Sequence, residues 1–413
     1  MGQHWDFDEI LERALQEEDL DGMDSVVARL VAEESMSRST MLRRSAAAAA
    51  GLTILGTPAT AFARSLRSGA TPPVLGRNVP LATLVKEAKK EGQINVIALP
   101  DDWANYVEVK STFKKRYGLT LNDENPQASS GDEVQAIISL KGQSRAPDVV
   151  DVGPGFAVGP ANQGLYAKYY NTRFKTVPRA MKDGRGFWTG DYWGVMAFGT
   201  NQSIVDKPPT DWSDLLSSSF NHKVALNDDP RKANAAFSGV FAAALANGGS
   251  LSNITPGVDF FAKLAKAGKF QPINVTPQTV ASGQAPVTLD WDYNQFGYKK
   301  TYTNFKWGVS IPKSGVYGGY YCQAINATAP HPWAARLWEE FLYSDIGQLL
   351  FLKGYAHPAR FADLAARKVI PAALTKALPS PTLYAGVKFA SLKQISDAKA
   401  IVAAQWGPKV LGA

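Results

Sequence analysis

The chain has 413 residues, of which 45% are hydrophobic and 20% are charged, and its formal net charge is +7. This length supports two packed cores, and the composition excludes a mostly disordered chain. The lysines and arginines form no basic arm or recognition helix, which argues against a nucleic-acid partner. Cys322 is the one cysteine, so the sequence excludes an internal disulfide and a cysteine cluster for zinc or iron–sulfur, and we expect no metal and no cofactor.

Residues 1–63 are interpreted as an acidic leader followed by an export signal. Residues 1–35 carry eleven acidic and two basic side chains, and their leucines and valines predict amphipathic helices that are detachable from the rest. Two arginines at residues 43–44 then precede a short apolar run, and the tripeptide ending at Ala63 fits a cleavage site. We expect cleavage there and export, by the Tat or the Sec route, to the periplasm or the cell surface.

Two alternatives remain open in this region. An acidic n-region is atypical of a signal peptide, so Met1, Met36 and Met41 are all candidates for the start of translation. The apolar run is also compatible with an alanine-rich buried helix.

From residue 80, patterns typical of helices and strands alternate. Apolar spacing predicts helices at residues 81–91 and 104–117, ended by glycines, and buried strands at residues 93–99 and 147–153. Between them, Ser130 and Glu133 are spaced as a capping box that opens a further helix.

A second series of the same kind follows residue 200. Strands are predicted at residues 221–230, 285–291, 307–315 and 320–328, and helices at residues 231–249, 256–268 and 332–352. Repeated strand–helix–strand units indicate an α/β fold with two mainly parallel sheets flanked by helices. Ligands of such sheets bind beyond the carboxyl ends of the strands.

Polar and aromatic residues collect at loop positions after these strands. The candidate ligand-binding residues are Asp101, Trp103, Ser129, Ser130, Gly155, Tyr192, Trp193, Asn234, Trp291 and Asp292. Together they indicate a cleft in which helix N-termini and aromatic planes hold a small polar solute. A cationic ligand would bind the acids, including Asp102, and the aromatic faces. An anionic ligand would bind the helix start at Ser130 and would be attracted by the excess of lysine and arginine in the chain.

The stretch TLDWDYNQ, residues 288–295, leaves a different function open. Asp290 and Asp292 are candidates for the acids of a secreted carbohydrate hydrolase. Positions two apart in a strand point the same way, so this pair does not easily flank a glycosidic bond, and we expect Trp291 to be a contact plane for a ligand instead. A cell-wall adhesion module, which predicts no ligand-dependent domain closure, is a third possibility.

The segment APHPWAARLWEEFLYSDIGQLLFLKGYAHPARF, residues 329–361, resembles the extracellular solute-binding proteins of ABC importers. Residues 208–230, PPTDWSDLLSSSFNHKVALNDDP, and residues 282–294, SGQAPVTLDWDYN, add to the resemblance, which extends from about residue 80 to about residue 370. The nearest groups are binders of polyamines, ferric ion and phosphonates. Trp291 matches a tryptophan that polyamine binders pack on the ligand, and Tyr320 with Tyr321 is similar to the tyrosine pair of ferric-ion binders.

The resemblance implies a two-lobed periplasmic-binding-protein-like fold of type II, joined by crossing strands near Thr200 and Pro312. It implies a monomeric, non-enzymatic receptor that closes on its solute, with Tyr320 added to the candidate site, and that delivers the solute to permease subunits. After the leader and signal at residues 1–63, the expected organisation is lobe 1 at residues 64–200, lobe 2 at 201–310, a return to lobe 1 at 311–360, and C-terminal helices at 361–413 that pack on lobe 2.

Overall fold

The computed structural model describes residues 6–17, 20–39 and 79–412. The expected export signal lies outside the described residues. Two helices, α1 (Phe7–Ala14) and α2 (Leu20–Ser39), precede that gap and pack against each other as an N-terminal hairpin. None of the described helices combines the length and the apolarity that a membrane crossing requires.

Residues 79–188 supply most of the first lobe. In chain order they form α3 (Leu81–Glu91), β1 (Gln93–Ile97), α4 (Tyr106–Tyr117), β2 (Thr120–Glu124), α5 (Ser130–Ser139), β3 (Val149–Val152) and α6 (Val158–Asn162), with 3₁₀ turns at Pro154–Phe156, Phe174–Thr176 and Arg179–Met181. The two predicted glycine terminators are confirmed. Gly92 and Gly118 follow α3 and α4 with φ of 76° and 69°, the left-handed conformation that glycine adopts at low cost.

The capping box of α5 differs by one residue from the prediction. Ser129, in extended conformation, is the N-cap, and its partner is Asp132. The sequence SSGDE fits both registers, because each serine has an acid three residues on. Glu133, predicted as the cap partner, is instead buried, and one of its carboxylate oxygens accepts the N–H of Asp151 at 2.7 Å.

The second lobe follows the long strand β4 (Thr189–Asn201). Its elements are α7 (Trp212–Leu216), β5 (Val224–Leu226), α8 (Asn234–Ala246), α9 (Thr255–Lys266), α10 (Pro277–Ala281), β6 (Val287–Trp291), α11 (Asp292–Thr301) and β7 (Trp307–Ser310). Helix α8 consists mainly of alanine and other small residues, and residues 234–244 are all buried. The first turn of this helix faces the first lobe.

The chain then returns through β8 (Gly318–Ile325) to the first lobe. The remaining elements are α12 (Pro332–Leu342), α13 (Asp345–Lys353), β9 (His357–Pro358), α14 (Phe361–Ala366), α15 (Ala372–Ala377), a 3₁₀ turn at Pro381–Tyr384, α16 (Leu392–Trp406) and a π-helical turn at Gly407–Leu411. The predicted helical region at residues 332–352 is two helices. It divides at Ser344, whose hydroxyl accepts the N–H of Gly347 and thereby caps α13.

The α/β fold class is confirmed, but the main sheet is mixed rather than mainly parallel. Its strand order is β3-β8-β4-β6-β5, and β7 and β9 also pair with β4. Among the strands that the structure describes, β1 with β2 and β5 with β6 are the parallel pairs. Strand β4 pairs with β8 up to Val195 and with β6 from Met196 onward, so it runs from one lobe into the other and is antiparallel to both neighbours.

Helix α16 contacts both lobes. At one end, the ring of Trp406 lies 5.5 Å and 5.8 Å from the rings of Phe261 and Phe270 in the second lobe. Nearer its middle, the ammonium of Lys399 donates to the carbonyl of Gly155 at 2.7 Å and lies over the ring of Phe156 in the first lobe. The C-terminal helix α16 therefore bridges the two lobes.

Candidate functional site

A cleft lies between the lobes, beyond the carboxyl ends of β1, β3 and β5. Its empty volume is about 650 Å³, part of which is open to solvent. The lining includes the acids Asp102, Glu133, Asp151 and Asp228, the aromatic residues Trp103, Tyr298 and Tyr321, and the hydroxyl and amide side chains of Gln127, Ser129, Ser130, Asn227, Asn234 and Asn274. Among the described residues that line the cleft there is no lysine and no arginine.

Asp151, at the third position of β3, is the best-defined acceptor in the cleft. It is only 4% exposed. Its Oδ2 accepts hydrogen bonds from the hydroxyls of Tyr106 at 2.8 Å and Tyr192 at 2.7 Å, while its Oδ1 has no hydrogen-bond partner in the described structure. A buried polar atom without a partner is costly, so the remaining oxygen is suited to a donor supplied by a ligand.

Burial controls the ionisation of the acids around Asp151. Desolvation raises the pKa of Asp151 to about 6, and the two tyrosine hydroxyls oppose that rise. Burial and the adjacent Asp151 charge raise the pKa of Asp191 well above its usual value, and burial does the same for Glu133. Burial therefore disfavours the ionised forms of Asp191 and Glu133, whereas the two tyrosine hydroxyls stabilise the ionised form of Asp151.

The other two lining acids lie nearer to cations. Lys232, half exposed at the rim, approaches Asp228 at 3.1 Å. Burial raises the pKa of Asp102, and the charge of Lys110 lowers it. Asp151 differs from both because its contacts are the hydroxyls of Tyr106 and Tyr192 and the neighbouring acid Asp191, with no ammonium or guanidinium group.

Trp103 forms one aromatic wall of the cleft. Its indole Nε1 donates to the hydroxyl of Tyr192 at 2.9 Å, so it is held by the same network that holds Asp151. Its ring meets Tyr321 and Tyr293 edge-on, at 5.6 Å and 5.9 Å between centroids. A fixed tryptophan beside a carboxylate is suited to an organic cation, since the ring face and the acid both attract positive charge.

The N-terminus of α5 also borders the cleft, but two of its backbone donors already have partners. The N–H of Asp132 donates to Ser129 Oγ, and the N–H of Gly131 donates to the carbonyl of Lys232 at 3.0 Å. The carboxylate of Asp132 lies at the same helix start, where it accepts from the backbone and hydroxyl of Ser129. An anionic ligand at this helix start would meet the negative charge of Asp132.

The lobes meet closely at the cleft. The bond from Gly131 to Lys232 joins α5 to the loop before α8. Gly153, at the end of β3, lies so near Asn234 that a Cβ built on it would be 2.1 Å from Asn234 Cγ. Only glycine permits this approach, so the end of β3 and the start of α8 are packed closely together.

Four of the predicted site residues line the cleft: Trp103, Ser129, Ser130 and Asn234. Tyr192 lies directly behind the lining, where it is fully buried and bonds Asp151. Ser130 also holds the end of β3 in place, because its hydroxyl accepts the N–H of Gly153 at 3.1 Å.

The other predicted residues lie outside the lining. The exposed carboxylate of Asp101 pairs with Lys110, Gly155 contacts Lys399, Trp193 stacks on His357 at 4.1 Å, and the Tyr320 hydroxyl donates to the carbonyl of Ala180. Trp291 is fully buried and stacks beside Tyr293, with ring centroids 6.2 Å apart. It supports the site from behind and is not itself a wall of the cleft.

The two aspartates beside Trp291 have separate structural environments. Asp290 accepts from the side-chain amides of Asn227 at 3.0 Å and Asn294 at 3.2 Å, and burial raises its pKa to about 7. Asp292 accepts from the N–H of Val195 at 2.9 Å and the hydroxyl of Tyr384 at 2.7 Å. Neither carboxylate lines the cleft, so the pair does not form a hydrolytic site there.

The sequence interpretation missed several lining residues, Asp151 above all. It lies inside an apolar strand pattern, VVDVGPG, and an acid in such a run is itself a signal, because carboxylates are seldom fully buried without a function or a partner. Asp228 gives a weaker signal. It follows the strand VAL and adopts a positive φ of 74°, which aspartate tolerates better than most residues.

Comparisons with known proteins agree with this architecture. Residues 144–382 match the model of a family described as bacterial extracellular solute-binding protein. A comparison with curated proteins gives no match.

Among solved structures, the periplasmic binding protein AfuA from Actinobacillus pleuropneumoniae, with fructose-6-phosphate bound, is similar at a TM-score of 0.62 and 16% identity, over 78% of this chain and 100% of that one. An ABC transporter substrate-binding protein from Bradyrhizobium japonicum USDA 110 gives 0.59 and 17%, over 77% and 99%. A periplasmic thiamin binding protein gives 0.59 and 16%, over 77% and 96%.

These structures share the two-lobed type II fold with this chain. The family match covers more than half of the chain, including β4, the second lobe and the return through β8. The chain belongs to the bacterial extracellular solute-binding protein family, whose members are the substrate-binding components of ABC transporters.

Proposed function

We propose that this receptor binds a small organic cation and delivers it to the permease of an ABC importer. The observation that carries the proposal is Asp151, a buried carboxylate in the cleft whose free oxygen has no partner and whose other oxygen is held by two tyrosines. A protonated nitrogen of the ligand would donate to that oxygen, and the charge-assisted bond would be strong because the site is largely desolvated.

The rest of the lining supports a cation over an anion. Four carboxylic acids and no lysine or arginine are among its described residues, and Asp132 already occupies the helix start that a phosphonate would need. Trp103 offers an aromatic face to the apolar part of a ligand. Polyamines, thiamine and other organic amines have this chemistry. The named ligands of the similar structures carry charges of either sign, so the fold does not decide between them.

We propose that the lobes close on the ligand by bending at the strands that run between them. Strand β4 changes its sheet partner between Val195 and Met196, and residues 311–317 connect β7 of the second lobe to β8. The proposed division keeps lobe 1 at residues 64–200 and 311–360 and lobe 2 at residues 201–310, with residues 361–413 as a C-terminal appendage. A ligand that binds the closed form better than the open one shifts the population toward closure.

The proposal describes an exported, monomeric receptor without enzymatic activity. The hydrolase alternative loses support because Asp290 and Asp292 are each hydrogen-bonded by neighbouring groups and lie outside the cleft lining.

A thermal-shift screen of the full chain tests the function directly, because a ligand that binds only the folded protein raises the melting temperature. The panel contains putrescine, spermidine, thiamine and choline as cations, fructose 6-phosphate and methyl phosphate as phosphorylated compounds, and glucose as a neutral solute. We expect saturable shifts of a few degrees with one or more cations. Shifts with the phosphorylated compounds or glucose alone would contradict the proposal.

A further inference from the structure

The N-terminal hairpin, residues 6–39, packs on the first lobe through a continuous apolar face. Phe7, Ile10, Met23 and Val27 are at most 2% exposed. They belong to one hydrophobic cluster with side chains of α4, α12 and α13. Helix α2 lies against α13, so the hairpin covers a face of the lobe rather than extending into solvent.

The rim of this contact pairs acids of the hairpin with bases of the lobe. Asp8 pairs with Lys353 at 2.7 Å and Glu12 pairs with Lys115 at 2.7 Å, at opposite ends of α1. The guanidinium of Arg116 also donates to the carbonyl of Leu15 at 3.1 Å. The acidic composition of the leader thus matches the basic rim of the surface it covers.

Arg173 and the start of α13 recognise helix α2. The guanidinium of Arg173 contacts Asp21 at 2.5 Å and Asp24 at 2.7 Å. Asp24 is only 8% exposed, and its second oxygen accepts the N–H of Asp345, the first residue of α13, at 2.8 Å. One carboxylate of the hairpin therefore satisfies an arginine and a helix N-terminus of the lobe at once.

We propose that residues 6–39 form a separable pro-segment, a helical hairpin that binds the folded first lobe without needing its covalent link and that covers an apolar, basic-rimmed docking face. The hairpin itself is the occupant of this face. No described residue of the hairpin lines the ligand cleft, which makes this proposal independent of the solute.

The test starts from the full chain, folded before it is cut. A recognition site for a specific protease is inserted after Ser39, the purified protein is cleaved, and the products are separated by gel filtration at low micromolar concentration. We expect residues 1–39 to elute with the body of the protein. Elution of the fragment apart from a body that keeps its melting temperature would overturn the proposal.

Two variants test the recognition itself. Arg173→Glu places a negative charge beside Asp21 and Asp24, and Val27→Asp places a charge in the buried face of the hairpin, so each is expected to weaken retention of the fragment at least ~100-fold. Val27→Asp leaves the body unchanged, which keeps the test valid if Arg173→Glu misfolds. Lys409→Glu, which breaks a surface pair with Asp259 elsewhere, is the matched charge-reversal control and is expected to retain the fragment. Equal retention in all variants would show that the contact is non-specific and would also overturn the proposal.

Discussion

Asp24 of the N-terminal hairpin and Asp151 of the cleft floor are both removed from water, yet their partners differ. Asp24 of the hairpin meets a guanidinium at 2.7 Å, whereas Asp151 of the cleft meets two tyrosine hydroxyls and the neighbouring acid Asp191 but no cation. Burial raises the pKa of each to about 6. A buried acid with a basic partner holds two parts of the chain together, whereas one with a free oxygen is prepared for a partner from outside.

The largest expected effect on ligand affinity comes from removing the charge of Asp151. Asp151→Asn keeps the shape of the side chain but loses the charge, and we expect ligand affinity to fall about 100-fold, as for a broken buried charge pair. The melting temperature of the ligand-free protein should not fall appreciably, because burial already disfavours the ionised form of Asp151. Calorimetric titration with the best cation of the screen measures the loss.

Asp292→Asn is the matched control for that experiment. Asp292 is equally buried, and burial raises its pKa to about 6 as well, but it bonds Val195 and Tyr384 instead of lining the cleft. We expect its affinity to stay within about threefold of the wild type, since it makes no direct contact with the ligand. A comparable loss in both variants would contradict the distinction between cleft and scaffold acids.

Removing the aromatic wall should have the next largest effect. Trp103→Ala deletes a ring that lines the cleft and a donor to Tyr192, and we expect affinity to fall roughly 10-fold to 30-fold from lost cation–π and packing contacts. Trp193→Ala removes a tryptophan that stacks on His357 outside the cleft and should leave affinity unchanged. Titration of both variants with the same cation decides whether the ring position matters.

The pH dependence of binding should follow Asp151. With its pKa at about 6 in the free protein, protons compete with a cationic ligand below that pH, so affinity should fall about tenfold between pH 7 and pH 5. The same raised pKa means that the folded, ligand-free protein binds this proton more tightly than the unfolded chain, so the contribution of Asp151 to stability increases as the pH falls from about 6 to about 4. In Asp151→Asn, the decrease of affinity and the increase of stability toward acid pH that Asp151 causes should both be absent. Wild-type affinity that increases toward acid pH would contradict the assignment.

The smallest effect is expected at the contact between the end of β3 and the start of α8. Gly153→Ala adds a Cβ where Asn234 leaves no room, so closure becomes less favourable and affinity should fall roughly fivefold. Asn234 also lines the cleft, so Asn234→Ala is measured alone and in combination. If the steric account is correct, Gly153→Ala costs little in the Asn234→Ala background. If titration shows that Gly153→Ala still lowers affinity by the same factor in the Asn234→Ala background, the steric account is disproved.

The sequence predicted the elements of the fold better than their pairing. Gly92 and Gly118 mark helix ends through local backbone preference, which a sequence displays directly. The antiparallel direction of β4 and β8 depends on a chain return more than a hundred residues later, and no local pattern encodes it. The prediction of mainly parallel sheets was therefore wrong, although the predicted α/β class is confirmed.

The candidate site was also only partly predictable, because local sequence patterns mark some of its residues and not others. Trp103, Ser129, Ser130 and Asn234 follow strands or begin helices, and such positions meet at the carboxyl edge of α/β sheets. Trp291 also ends a strand, but the aromatic packing of Tyr293 and Tyr321 encloses it, and only the three-dimensional structure shows this. Asp151 lies within a strand, where its register and its two tyrosine partners, rather than its position in the chain, bring it to the cleft.

The most direct test of a cation receptor is a calorimetric titration of the wild-type protein with a matched pair of ligands: the amine that gives the largest thermal shift, and the same molecule with its amines acetylated to neutral amides. The Asp151 carboxylate should bind the amine at least about 100-fold more tightly, because acetylation removes the charge it pairs with. Equal affinity for the two ligands, or tighter binding of the acetylated one, would contradict the account.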